Sequence, residues 1–288
     1  MSTLSLEIKS QRKQRRWERR QRRLTAFNKV AGVPELLVMI FARCIPTQGA
    51  KPNPKRAPLN LSHVSRYWRA VAHETPSLWA FLRLSGKNCL QDQYLRQIAL
   101  LNHWLSLSSN APLTLWLSHF ISPRSVKQLL RLNNEDADRA TLIKTMEELR
   151  SLSADLLKLA IHHVKRWRHV EMIVNDKHIL LLDGVAGPQT PLLEYFRVHA
   201  DFDHMSFPEE RLNLDFLASS KLREIHIICG YDIDITLPAS LRVLVLEGHQ
   251  ITIHNGGLPK GPLPGLSCTG AAAGVRVVAR DIGLSTRF

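Results

Sequence analysis

VPELLVMIF (33–41) and LNLSHVSRYWRAVA (59–72), followed by TPSLW (75–79), decide how the first third of this chain is read. Pro34 suits the first turn of a helix, where its missing N–H costs nothing. Glu35 beside it complements the positive end of the helix dipole. Leu36, Leu37, Ile40, Phe41 and Cys44 then form one wide apolar stripe, and Pro46 stops the run. In the second stretch Val64, Tyr67, Trp68, Val71 and Ala72 repeat the stripe, with Arg66 and Arg69 off it. Thr75-Pro76 ends that helix. The spacing predicts two or three short amphipathic helices that cannot bury their own apolar faces, so the unit needs a partner. Periodicity alone favours the ordinary core of a helical domain.

Residue identity separates these readings. The start Pro34-Glu35-Leu36-Leu37-x-x-Ile40-Phe41, the helix Val64-Ser65-Arg66-Tyr67-Trp68-Arg69-x-Val71-Ala72 and the exit through Pro76, Leu78 and Trp79 together resemble an F-box. The similarity is closest to fungal-type F-box proteins that carry leucine-rich repeats. It covers about fifty residues at the motif and, more loosely, the region behind it. Gly32-Val33 stands where Leu-Pro is usual, and Ser65 where Cys is usual. Residues 47–58, TQGAKPNPKRAP, lengthen the link between the helices and read as an exposed loop.

The resemblance implies a non-enzymatic role: a substrate receptor of an SCF-type ubiquitin ligase. It would dock on the Skp adaptor, and through it the cullin, and hold an unidentified protein substrate. The docking residues it implies are Pro34, Leu36, Leu37, Ile40 and Phe41, with Val64 and Trp68 supporting the module or completing its surface. No cofactor is implied. The expected compartment is cytoplasmic and/or nuclear.

Charge is concentrated at the front. Residues 1–30 hold ten Lys/Arg and two Glu, a net +8 of the chain's +14. The centre of this arm, QRKQRRWERRQRR (11–23), contains Arg12, Lys13, Arg15, Arg16, Arg19, Arg20, Arg22 and Arg23. It is expected to be helical or disordered. Three roles compete: a solvated tail, a nuclear import signal, and a nucleic-acid-binding arm that neutralises phosphates. Trp17 alone interleaves the charges, which gives base stacking little support. The rival to the ligase reading is therefore a nuclear nucleic-acid-associated or scaffold protein acting through this arm. A third reading is an F-box protein that binds the adaptor without recruiting a substrate.

Behind the helical module a pattern recurs: large apolar, two residues, apolar, one residue, apolar. It falls on Trp167, Val170, Met172; Leu193, Phe196, Val198; Leu222, Ile225, Ile227; and Leu241, Leu244, Leu246. The starts are 26, 29 and 19 residues apart, near the period of leucine-rich repeats, each of which contributes a short parallel strand. A plain α/β domain with four buried strands is the other reading. Tyr94–Leu107 and Leu149–Val164 have helical spacing, Leu113–Leu117 alternates like a strand, and residues 207–219 read as a short helix or turn.

The fold expected is thus α/β: a basic arm (1–30), a small all-α F-box-like module (31–85), a short, irregular leucine-rich-repeat-like solenoid (90–254), and a Gly/Pro-rich tail (255–288). The arm and tail are expected to be poorly ordered, except that 275–279 could add an edge strand.

Other chemistry is thinly represented. No Walker loop, nucleophile elbow, G-x-G-x-x-G, H-E-x-x-H or EF-hand loop occurs. Cys44, Cys89, Cys229 and Cys268 are scattered, which supports neither a zinc site nor a disulfide framework. His199, Asp201, Asp203 and His204 could meet a divalent ion, though such a stretch is more often a solvated loop. No apolar run approaches the ~20 residues of a membrane span. The first thirty residues lack the apolar core of a secretory signal.

Overall fold

The computed structural model describes residues 13–19, 32–46, 52–86, 89–119, 121, 123–132, 139–183, 185, 189–201, 211–218, 221–229, 231–238, 240–248, 251–255 and 276–281. The chain divides into two compact units, Met1–Leu78 and Trp79–Phe288.

In the first unit, residues 13–19 are helical and largely exposed. Helix α1 spans Pro34–Cys44, with Pro34 opening it, Glu35 in the first turn and Arg43 in the last. It stops at Ile45, whose backbone is extended, as the residue before a proline prefers. Helix α2 is one turn, Leu59–Ser62. Helix α3, Arg66–His73, begins at Ser65, whose Oγ accepts the Trp68 amide at 3.1 Å. That cap satisfies an otherwise orphaned donor, worth about 1 kcal/mol. Arg69 Nε donates to the Ser62 carbonyl at 2.9 Å and ties α3 to α2. At the far end Thr75 Oγ1 donates to the Val71 carbonyl at 2.7 Å, just before Pro76. A 3-10 turn, Pro76–Trp79, follows.

The second unit is mixed α/β and built on parallel strands. Seven of them, β1 (Phe81–Ser85), β2 (Leu113–Ser118), β3 (Trp167–Asn175), β4 (Tyr195–Asp201), β6 (Glu224–Ile228), β8 (Val243–Gly248) and β10 (Arg276–Asp281), form one sheet in the order β1-β2-β3-β4-β6-β8-β10. Three more, β5 (Arg211–Asn213), β7 (Asp232–Leu237) and β9 (Ile251–Asn255), form a second parallel sheet. The early crossovers are helical: α4 (Gln91–Leu107) between β1 and β2, then α5 (Pro123–Leu132) and α6 (Arg139–Ile161), then α7 (Asp176–Ile179). From β4 onward each crossover carries a strand of the second sheet instead.

The repeated apolar triads are in register. Val170 faces Phe196, Phe196 faces Ile225 and Ile225 faces Leu244; Met172, Val198, Ile227 and Leu246 run beside them. Leu115 and Leu117 of β2, then Leu82 and Leu84 of β1, extend both rows. All twelve are buried. A period of two places one side of every strand inward, and these rows line the core. Trp104 of α4 and Trp167 of β3 close it, their indole N–H groups donating to the carbonyls of Phe81 and Ala160, each at 3.1 Å. Phe216 lies edge-on to both Phe196 and Trp167.

Four expectations are refined. The helix expected at 149–164 begins ten residues earlier, at Arg139. Residues 211–213 within the expected helix or turn at 207–219 are strand β5, and only Asp215–Leu217 make a 3-10 turn. Leu212 and Leu214 are both buried, so alternation outweighs the helix signal of Pro208-Glu209. In the expected tail, Arg276–Asp281 form β10, paired with β8 over six residues. This is the edge strand noted at 275–279. The other residues beyond 255, and all of the arm except 13–19, lie outside the described residues. Strand β1, placed by sequence in the module ending at 85, pairs with β2 in the large sheet.

Candidate functional site

Helix α1 has two apolar sides. Leu37 and Phe41 are fully buried, and Phe41 rests on Trp68 of α3. Leu36, Met39 and Ile40 are exposed, Met39 to 66%. Residues 36, 39 and 40 sit at i, i+3 and i+4, on one face of the helix. Val64 and Tyr67 at the start of α3 are also exposed, and the Tyr67 phenol donates to the Gly32 carbonyl at 3.4 Å, holding the two helix starts together. The result is an apolar patch on the outside of a module whose core is complete without it.

The seven residues expected to dock on a partner therefore divide. Pro34, Leu36, Ile40 and Val64 are exposed, and Trp68 is half-buried. Leu37 and Phe41 are core and are not available as contacts. Met39 and Tyr67 belong to the exposed patch and were legible, since each follows an apolar partner by three positions. Of the arm, Lys13, Arg15, Arg16 and Arg19 are exposed beside Trp17, which is 56% exposed. Arg12, Arg20, Arg22 and Arg23 lie outside the described residues.

The large sheet presents a second surface, made by the residues that alternate with its inward rows. His169, Tyr195 and His226 on three successive strands form a row of rings, with centroids 6.3 and 5.8 Å apart. Glu171 reaches Arg197 at 3.7 Å, Glu194 reaches Arg168 at 3.0 Å, and Glu224 reaches His226 at 4.0 Å. Partial burial lowers the pKa of both His169 and His226 and raises that of Tyr195. The hydrogen bond from Arg168 lowers that of Glu194. Further along, the Arg83 guanidinium lies over the Trp116 ring, a cation–π contact. This face thus carries aromatic rings, two histidines and partly exposed ion pairs.

A third cluster is internal. Tyr94, His119 and Gly86 meet where β1 and β2 end. Burial, then His178, lowers the His119 pKa to about 3, and burial raises that of Tyr94. Both His119 nitrogens and the Tyr94 hydroxyl are buried without a hydrogen-bond partner. Ser153 Oγ stands 3.4 Å from His178 Nδ1, and both residues are buried. Burial pushes the Cys229 thiol up to about 12, away from nucleophilic character.

Among the described residues no group of three His, Cys, Asp or Glu is arranged to hold a metal ion. No described helix is long and apolar enough to cross a membrane. No family model, curated protein or solved structure matches the chain.

Proposed function

We propose that this chain is the substrate-receptor subunit of an SCF-type ubiquitin ligase. In this reading the exposed face of α1 and α3 docks on the Skp adaptor of a cullin complex. The second unit, read as a short leucine-rich-repeat-like array, holds a protein substrate on the open face of its large sheet. The receptor makes and breaks no bond. It raises the effective concentration of a substrate lysine near the transfer enzyme.

The observation that carries the reading is the two-sided helix α1. Its inner side, Leu37 and Phe41, completes a core, while its outer side leaves Leu36, Met39 and Ile40 in water. A contiguous apolar patch on an otherwise satisfied module marks an interaction site, and a helix laid in a groove is a common way to cover one. The test is co-purification of the full chain with the Skp adaptor, beside a Leu36→Asp, Ile40→Asp variant. Stoichiometric capture that the folded variant loses supports the reading. Failure of the folded wild-type chain to capture adaptor overturns it.

A second reading rests on the helical stretch 13–19, whose exposed cations flank Trp17. There the arm binds nucleic acid and the helical module is only scaffold. Deleting residues 1–30 separates the two. An adaptor-binding receptor keeps its affinity, whereas a nucleic-acid binder loses it and shows steep salt dependence beforehand.

A further inference from the structure

A row of charges borders the large sheet where its strands begin. The Glu194 amide donates to the Arg168 carbonyl at 2.8 Å, the Arg223 amide to the Glu194 carbonyl at 2.9 Å, and the Arg242 amide to the Arg223 carbonyl at 2.8 Å. These bonds set Arg168, Glu194, Arg223 and Arg242 side by side across β3, β4, β6 and β8. Neighbours in such a row are about 4.8 Å apart. Arg168, Arg223 and Arg242 are exposed, as is Lys221 two residues before Arg223.

The one carboxylate in the row is already engaged. Glu194 accepts from Arg168 Nε at 3.0 Å and faces His169 Nε2 at 3.8 Å. Among the described residues no carboxylate lies within ion-pair distance of Lys221, Arg223 or Arg242. Three cations thus crowd one border of the sheet, and among the described residues their ion-pair partners are missing, the charge of Arg223 being felt only at longer range by Glu194.

We propose that this border, Lys221, Arg223 and Arg242 with Arg168 beside them, recognises an acidic segment of a protein partner. Arginine forks bind carboxylates in pairs of parallel hydrogen bonds, and cations one strand apart match neighbouring acidic side chains. The adjoining open face argues for a polypeptide over a nucleic acid. It carries Glu171 and Glu224 among the rings. A phosphate backbone crossing that face finds these carboxylates interleaved with Arg197 and His226 in place of a run of cations, whereas a polypeptide can set acidic residues on the border and apolar or basic ones on the face. The proposal rests on the second half of the reading above, that the sheet holds a protein, and is independent of adaptor docking.

The test is fluorescence anisotropy on the full chain. Its probes are a labelled Asp/Glu-rich peptide, the Asn/Gln counterpart, and a single-stranded DNA oligonucleotide. Because the arm also attracts anions, each measurement is repeated with Arg15, Arg16, Arg19, Arg20, Arg22 and Arg23 changed to Gln. The acidic peptide is expected to bind in that background and the amide peptide to fail. Arg223→Glu with Arg242→Glu is expected to weaken the acidic peptide about tenfold, and the Gln pair less. Circular dichroism and retained adaptor capture separate this from misfolding and from failure of the docking reading. Unchanged peptide affinity in both border variants overturns the proposal. So does oligonucleotide binding that falls in these variants when the acidic peptide does not bind, which makes the border a nucleic-acid site.

Discussion

Phe41 of α1 and Trp68 of α3 meet with ring centroids 5.0 Å apart and planes tilted by 57°. One helical step away, Ile40 points to solvent. Adjacent residues of one helix thus serve opposite ends, one holding the module together and the other available to a partner.

Phe41→Ala is therefore expected to destabilise the first unit by about 3–4 kcal/mol, since it removes a fully buried ring. Ile40→Ala should cost less than about 1 kcal/mol. Denaturant midpoints of the two variants check this directly. Equal losses would mean that Ile40 is also core.

Gly86 is fixed by its neighbours. A Cβ there would collide with the Tyr94 hydroxyl and stand 2.7 Å from His119 Nδ1. Gly86→Ala should cost about 2 kcal/mol through overpacking. Adding Tyr94→Phe should recover only part of it, because the ring carbon Cζ also stands 2.7 Å away. Thermal melts of the single and double variants make the comparison.

The buried His119 makes stability depend on pH. Its folded pKa, about 3, lies below the ordinary value of 6.5. Between those values the unfolded chain binds a proton that the folded chain refuses. Stability thus falls as pH drops from 6.5 toward 3, by up to about 1.4 kcal/mol per unit from this proton. His119→Phe should flatten that slope, seen as a smaller gap between unfolding midpoints at neutral and mildly acidic pH. An unchanged slope would mean that the imidazole charges in place.

Asn175 completes the backbone of a neighbouring segment. Its Oδ1 accepts the Ile121 amide at 3.1 Å and its Nδ2 donates to the Ile121 carbonyl at 3.0 Å, both buried. Asn175→Leu strands two backbone groups and should cost about 2–4 kcal/mol. Native-state hydrogen exchange should show the Ile121 amide losing protection. Retained protection would mean that another group takes over.

The strands were legible because Phe196, Ile225 and Leu244 recur with the same two-residue alternation, and alternation of apolar residues is a direct imprint of a half-buried strand. The second sheet was less so. In β7 Asp232 and Asp234 alternate with the buried Ile233 and Ile235, a visible period of two, but Arg211–Asn213 are too short for a period to stand out beside Pro208-Glu209. The two sides of α1 were not separable, since Leu36 and Leu37 are the same residue type and only tertiary packing tells them apart. Gly86, His119 and Asn175 left no local signal. Their roles come from residues brought close by the fold, Tyr94 and His119 around Gly86 and Ile121 beside Asn175.

The large sheet is laid down in chain order, so each strand touches only its immediate neighbours in that order. Under mechanical load this becomes a sequence of events. A pull on the C-terminus meets β10 first, then β9 of the second sheet, then β8, β7 and β6, and detaching each leaves the earlier pairs of its own sheet intact. The second unit should then lengthen in steps under tension, and hold force as a chain of separable links.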